Sequence, residues 1–419
     1  MSPPLLGRVP PEGAGEVFLF RHAYRRATFP EGEGFYFVFL GGNFMFYKNA
    51  RIFGSDLRFH LGAFEVKDGR FGAVLPDVVP EDAIDLEGAT VIPGLIDCHI
   101  HGSVLSDASD GCYEDLKREA KYLAENGITG FAPTTMTLPY DTLSKAFCNV
   151  KALRDDAPEG CARILGIHME GPYFSYAKRG AQNADYLKGP DFEGFKALFD
   201  ACGGIVGIVD IAPELPGAAE FVEKASKLCT VSVAHTDSDY DHAKEAFSKG
   251  ATHLTHLYNA MPGIHHRKPG VIPAAVENPK VRAELICDGL HVHPASVRLA
   301  FSMFGAERMI LISDALRCCG MPDGEYELGG QMATLSGGVA KLADGTIAGA
   351  ATNLYQGMVN AILFGIPEAD AVRAATFNPA CALGVQDQVG SIAPGKQADF
   401  IICRSDYTGK RVFLNGKEI

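Results

Sequence analysis

Six of the 13 histidines sit in short polar segments that each follow an apolar run. The segments are Asp97-Cys98-His99-Ile100-His101-Gly102, His168-Met169-Glu170, His235-Thr236, His256-Leu257-Tyr258-Asn259, Asp288-Gly289-Leu290-His291 and Ser313-Asp314-Ala315. Imidazole and carboxylate are the ligands of a catalytic zinc or iron that keeps one position open for water. Glu170, His235 and His256, drawn from three segments, form such a set. His99 and His101, two apart on an extended segment, point to one side and can face a single ion. Asp314 supplies a carboxylate able to take a proton from a water held there. Ordinary readings compete. Asp314 also reads as a helix cap, and His168 as a packing residue. His253 and His256, three apart on a strand, face opposite sides, so only one points inward. His265-His266 beside Arg267-Lys268 reads as a polar loop, and His22, His60 and His242 as surface residues.

These segments need a frame that brings strand ends together. Apolar runs at Ala89–Cys98, Ile128–Thr135, Arg163–Met169, Ile205–Ala212, Val231–Ala234, His253–Tyr258, Glu284–Cys287 and Met309–Ser313 alternate with helical periodicity, as in Tyr113–Asn126 and Pro294–Phe304. Eight such alternations predict a parallel (β/α)8 barrel of the TIM type over residues 89–388, with its site at the strands' C-terminal ends. An open doubly wound sheet is disfavoured because no GxGxxG follows a strand. Residues 45–88 and 389–419 show short strands and turn signals. They are expected to pair into one small β-sandwich domain made from both flanks. Residues 1–44 hold 7 Gly and 5 Pro without periodicity and read as a low-complexity extension, with Met45 a candidate start.

Charge and composition exclude several classes. With 38 Lys+Arg against 51 Asp+Glu the net charge is −13, and no basic block is present to hold nucleic acid. No apolar run approaches the roughly 18 residues that span a bilayer. The 11 cysteines show no CxxC pair, which fits reduced thiols in a cytoplasmic protein.

Ile167-His168-Met169-Glu170-Gly171-Pro172, His256-Leu257-Tyr258-Asn259-Ala260-Met261, Asp288-Gly289-Leu290-His291 and Ile312-Ser313-Asp314-Ala315 resemble the signature segments of the N-acetylglucosamine-6-phosphate deacetylases, metal-dependent barrels of the amidohydrolase superfamily. Val91–Asp97 and Gly390–Asp399 resemble the superfamily's barrel entry and C-terminal return. The likeness runs from about residue 45 to 419.

The resemblance implies hydrolysis of the N-acetyl group of N-acetylglucosamine-6-phosphate to glucosamine-6-phosphate and acetate. It implies Glu170, His235 and His256 as ligands of a divalent metal, zinc or iron, and Asp314 as general base and then acid. The retained His99 and His101 leave room for a second ion bridged through Glu170, so one or two ions per subunit. Asn259, Ala260 and Arg267 match positions that hold the sugar phosphate. In relatives the arginine reaches in from the neighbouring subunit, which implies a homodimer. Asp288 to His291 and Ile347, Ala348 and Gly349 match segments lining the sugar site. Gly180-Ala181-Gln182-Asn183 places Gln182 where some members carry a histidine that polarises the acetyl carbonyl. The same chemistry on the N-acetylgalactosamine-6-phosphate epimer is the nearest alternative. A cyclic-amide hydrolase lacks its bridging lysine here, since strand four ends Asp210-Ile211-Ala212-Pro213. A non-catalytic sugar-phosphate sensor would have no use for Asp314.

Overall fold

The computed structural model describes residues 44–419. The expected N-terminal extension lies, but for Phe44, outside the described residues. Eight parallel strands form the barrel: β1 Leu95–Ile100, β2 Ile128–Thr135, β3 Ile167–Met169, β4 Val206–Ile211, β5 Thr230–Val233, β6 His253–Leu254, β7 Arg282–Ile286 and β8 Met309–Ile312. The ladder runs in sequence order from β1 to β8. The ring closes just past the strands. The Asp314 N–H donates to the His99 carbonyl at 3.0 Å, and the His101 N–H to that of Ala315 at 2.9 Å. Every residue of β2 is buried, as expected for strands covered on both faces. The covering helices turn apolar stripes inward. Tyr113–Glu125 buries Leu116, Ala120, Leu123 and Ala124, the spacing of one helical face.

The expected first strand, Ala89–Cys98, is two strands divided at Gly94. Thr90–Pro93 pairs with Phe400–Cys403 in a separate sheet, while β1 enters the barrel. The point of division requires glycine. A Cβ on Gly94 would lie 2.1 Å from the Thr129 Oγ1. The separate sheet runs Lys417–Glu418, Arg411–Leu414, Phe400–Cys403, Thr90–Pro93, Phe44–Phe53, Phe59–Lys67, Arg70–Val74. It curls over its own aromatic face, so non-adjacent strands touch. Phe64 meets Phe400 at 5.3 Å, and Tyr47 meets Phe413 at 6.3 Å.

Two further features depart from expectation. The run Arg163–Met169 is broken into Arg163–Ile164 and β3. A four-stranded antiparallel meander, Gly324–Leu328, Gln331–Ser336, Val339–Leu342 and Ile347–Ala350, follows β8. It packs Leu328, Leu335 and Ala340 against Met136, Ala181 and Leu316 at the mouth of the barrel. The signals for it were present as Gly329-Gly330 and Gly337-Gly338 between alternating residues.

Candidate metal centre

The barrel strands deliver their last side chains to one point. His99 and His101 come from β1, Glu170 follows β3, His235 follows β5, His256 follows β6, and Asp314 follows β8. All six side chains are buried. The Glu170 Oε1 lies 3.2 Å from the His235 Nε2, 3.3 Å from the His256 Nε2 and 3.5 Å from the His99 Nε2. Its Oε2 lies 3.3 Å from the His101 Nε2. The Asp314 Oδ1 stands 3.4 Å from the His99 Nε2 and 3.3 Å from the His101 Nε2. Asp314 begins no helix, so the cap reading falls.

The donor set fits a divalent ion. Ligands each about 2.0–2.2 Å from a tetrahedral ion stand roughly 3.3–3.5 Å apart. The Glu170 carboxylate stands 3.2–3.5 Å from all four imidazoles, close to that spacing, and the His235 and His256 Nε2 atoms are 3.1 Å apart. The rings are also turned for ligation. His235 donates its Nδ1–H to the Lys178 carbonyl at 2.9 Å, His101 to that of Thr134 at 3.2 Å, and His99 to the Glu284 carboxylate at 2.9 Å. Each thereby leaves its Nε2 for the shared centre. The His99 Nε2 is fully buried and makes no hydrogen bond among the described residues.

Electrostatics agree. Burial raises the Glu170 carboxyl, but His101, His235 and His256 outweigh it and hold the group well below the usual range. Burial opposes charge on His256 too, yet Glu170, Asp314 and Glu284 lift it to about 9. An ion binding here displaces such protons, because a ligand imidazole must be neutral. Burial likewise raises Asp314, and the His99 and His101 rings bring it below the ordinary aspartate value.

Above this centre lies a cavity of about 180 Å3. Ala181, Gln182, Asn259, Ala260 and His291 line it, as do Ile347, Ala348 and Gly349. Asp288 stands behind, accepting from the His291 Nδ1–H at 2.6 Å and so fixing that ring. Arg267 is exposed, touches His266 at 2.8 Å, and is not among the residues lining the cavity. Gln182 is committed more tightly than expected. Its Oε1 accepts from the Thr137 N–H at 2.7 Å, and its amide N–H donates to Glu170. Larger clefts at the N-terminal ends of the strands are lined by none of the residues of the Glu170–His235–His256 or His99–His101–Glu170 groups.

One inference from spacing fails. His253 and His256 both point inward, His253 to Glu284 at 2.9 Å and His256 to Glu170. The strand stops at Leu254, and His256 takes φ 29, which turns its side chain back over the barrel axis. His168 is not at the centre. Its Nδ1–H donates to the Cys98 carbonyl and its Nε2–H to Asp210, each at 3.0 Å, forming a buried pair lower in the barrel. Sequence reasoning passed over Glu284, a lone carboxylate in the otherwise apolar stretch Ala283-Glu284-Leu285-Ile286, and that isolation was the available signal.

A barrel whose strand ends converge on histidines and carboxylates defines a class, and the amidohydrolase family profile matches residues 90–419. The chain belongs to the amidohydrolase family. More closely, it is 38% identical over 323 residues to the N-acetylglucosamine-6-phosphate deacetylase of Bacillus subtilis (strain 168), covering 76% of this chain and 81% of that protein. It is 31% identical over 354 residues to the N-acetylgalactosamine-6-phosphate deacetylase of Escherichia coli O157:H7, covering 84% and 93%. A solved N-acetyl-D-glucosamine-6-phosphate deacetylase from Mycobacterium smegmatis, a mutant in complex with N-acetyl-D-glucosamine-6-phosphate, superposes with TM-score 0.83 at 31% identity, covering 90% of this chain and 99% of that one.

Proposed function

We propose that the protein hydrolyses the N-acetyl group of N-acetylglucosamine-6-phosphate, giving glucosamine-6-phosphate and acetate in amino-sugar catabolism. The observation that carries this reading is the convergence of Glu170, His235 and His256 at 3.2–3.3 Å with Asp314 beside them, on the floor of a small polar cavity. A divalent ion, zinc or iron, supplies a Lewis acid that acidifies water and polarises a carbonyl. Glu170, His235 and His256 would hold it, and His99 and His101 would add donors for a second. Asp314 takes a proton from the attacking water and returns it to the leaving nitrogen. The water oxygen bonds to the acetyl carbon, the C–N bond breaks, and acetate leaves with the free amine. Gln182 orients Glu170 and stands next to the reacting carbonyl. Asn259 and Ala260 take the sugar phosphate, with His291 and Ile347 to Gly349 along the sugar.

Arg267, exposed and not lining its own cavity, serves the neighbouring site in a homodimer. A guanidinium is suited to a phosphate because it donates two parallel hydrogen bonds. The cytoplasm is the compartment in which the chain's 11 free thiols persist, and no described helix is long and apolar enough to cross a membrane.

Acetate release should be measured on both 6-phosphate epimers with metal analysis of the same sample. Preference for the galactosamine epimer would move the assignment to that substrate. Asp314→Asn should lower turnover by at least ~10²–10⁴-fold with metal content intact. Full activity in that variant overturns the mechanism.

A further inference from the structure

Among the imidazoles at the centre, His99 alone is oriented by a carboxylate. His101 and His235 give their Nδ1–H groups to main-chain carbonyls. Glu284 is fully buried on β7 and accepts three N–H donors, the His99 Nδ1–H at 2.9 Å, the His253 Nε2–H at 2.9 Å and the His256 main-chain N–H at 3.2 Å, together with the Cys98 thiol at 3.8 Å. We propose that Glu284 is the positioning residue that makes His99 a metal ligand, and so decides whether the centre holds a second ion. The inference rests on the metal-centre reading given above.

Two imidazoles and a main-chain amide press N–H groups on one side chain. A carboxylate has two oxygens and no hydrogen, so it satisfies all three. With its Nδ1–H held below, the His99 Nε2 must present a lone pair upward, where it stands unpartnered 3.5 Å from Glu170. A glutamine at 284 would offer one oxygen and one N–H2. One imidazole would then face a donor and would have to move its proton to the other nitrogen. If His99 is the ring that switches, its Nε2 carries hydrogen and cannot bind an ion. The charge matters as well, since a carboxylate behind an imidazole raises its basicity toward a metal. Glu170, His235 and His256 do not depend on this bond through their rings. The effect therefore falls on the position formed by His99, His101 and Glu170.

Full-length wild type, Glu284→Gln and Asp210→Asn are loaded with zinc and desalted. Zinc per chain is counted by mass spectrometry, and a calorimetric titration gives the affinities. Asp210 is the control, being an equally buried carboxylate whose partner His168 packs its ring 4.5 Å from that of His99 but makes no hydrogen bond to a ring of the centre. The expected result is two zinc ions for wild type and Asp210→Asn but one for Glu284→Gln, with second-ion affinity lowered about 10–100-fold. Should Glu284→Gln not accumulate, Glu284→Asp replaces it. Its shorter arm cannot reach both rings, and it is expected to weaken the second ion. Two ions with unchanged affinity in the Glu284 variant overturn the proposal, as does loss of the second ion in Asp210→Asn. A wild type that binds one ion overturns the two-ion reading itself, which is a separable outcome.

Discussion

His235, His256, Tyr258, Ala260 and Asp314 all carry positive φ, between 29 and 79 degrees. Side chains with a Cβ avoid this region, at a cost of order 1–3 kcal/mol each. Such a cluster persists because its surroundings over-determine it. The Asp314 N–H is held by the His99 carbonyl, and the Asp314 carbonyl accepts from the Ala350 N–H at 2.9 Å. The strain is what aims ligands from strand ends at a common centre. A different residue stores a pH dependence. Glu119 is fully buried, and neither carboxylate oxygen has a hydrogen-bond partner among the described residues. Burial first, then repulsion from Asp107 and Asp97, raises its carboxyl well above 4.5. A raised folded value means that the stabilising proton is fully in place below the unfolded value and is lost as pH climbs through the folded one. Glu119→Gln, neutral at every pH, should therefore gain on wild type as pH rises. Calorimetry is expected to show a larger excess of Tm for the variant at pH 8 than at pH 5, and equal excesses would contradict the assignment.

At the scale of elements, the barrel was legible because buried parallel strands are short apolar runs and their helices keep a 3.6 period. Both are local properties of the chain. The division at Gly94 was not legible, since nothing in Ala89–Cys98 announces that Thr129 crowds the position. Gly94→Ala should destabilise by about 1–3 kcal/mol through overpacking, measured by chemical denaturation. Repeating it in a Thr129→Gly background should recover much of that loss, because the whole Thr129 side chain, its Cβ at 2.7 Å included, occupies the space that a Cβ at 94 would need. Additive losses in the double variant would place the strain elsewhere. The His253/His256 error has the same root. Alternation holds only while the strand lasts, and here it ends at Leu254.

The whole molecule ties barrel and sheet together through both ends of the chain. The Gly94 N–H donates to the Asp399 carbonyl at 2.9 Å, and the Asp399 carboxylate accepts from Arg163 at 3.0 Å and from the Asn415 N–H at 2.8 Å. The proposed dimer adds a constraint that a single chain cannot test. If each site takes Asp314 from one subunit and Arg267 from the other, Arg267→Ala and Asp314→Asn proteins are each impaired alone. Subunit exchange between them should restore about one site in four, because half of the random dimers are mixed and each has one intact site. Monomers in sedimentation, or no recovery on mixing, would sink the dimer.

The candidate ligands, the strand period and the segments that carry the family likeness were readable from residues near one another in the chain, because side-chain chemistry and backbone periodicity are local. Glu170, His235, His256 and Asp314 could be named on that basis. Which groups those residues lean on was decided only by the closed barrel. His99 and Glu284 are 185 positions apart, and Gln182 reaches Thr137 across 45. No spacing encodes such partners. They meet because eight strands must close a ring, and closure sets which buried donor finds which acceptor.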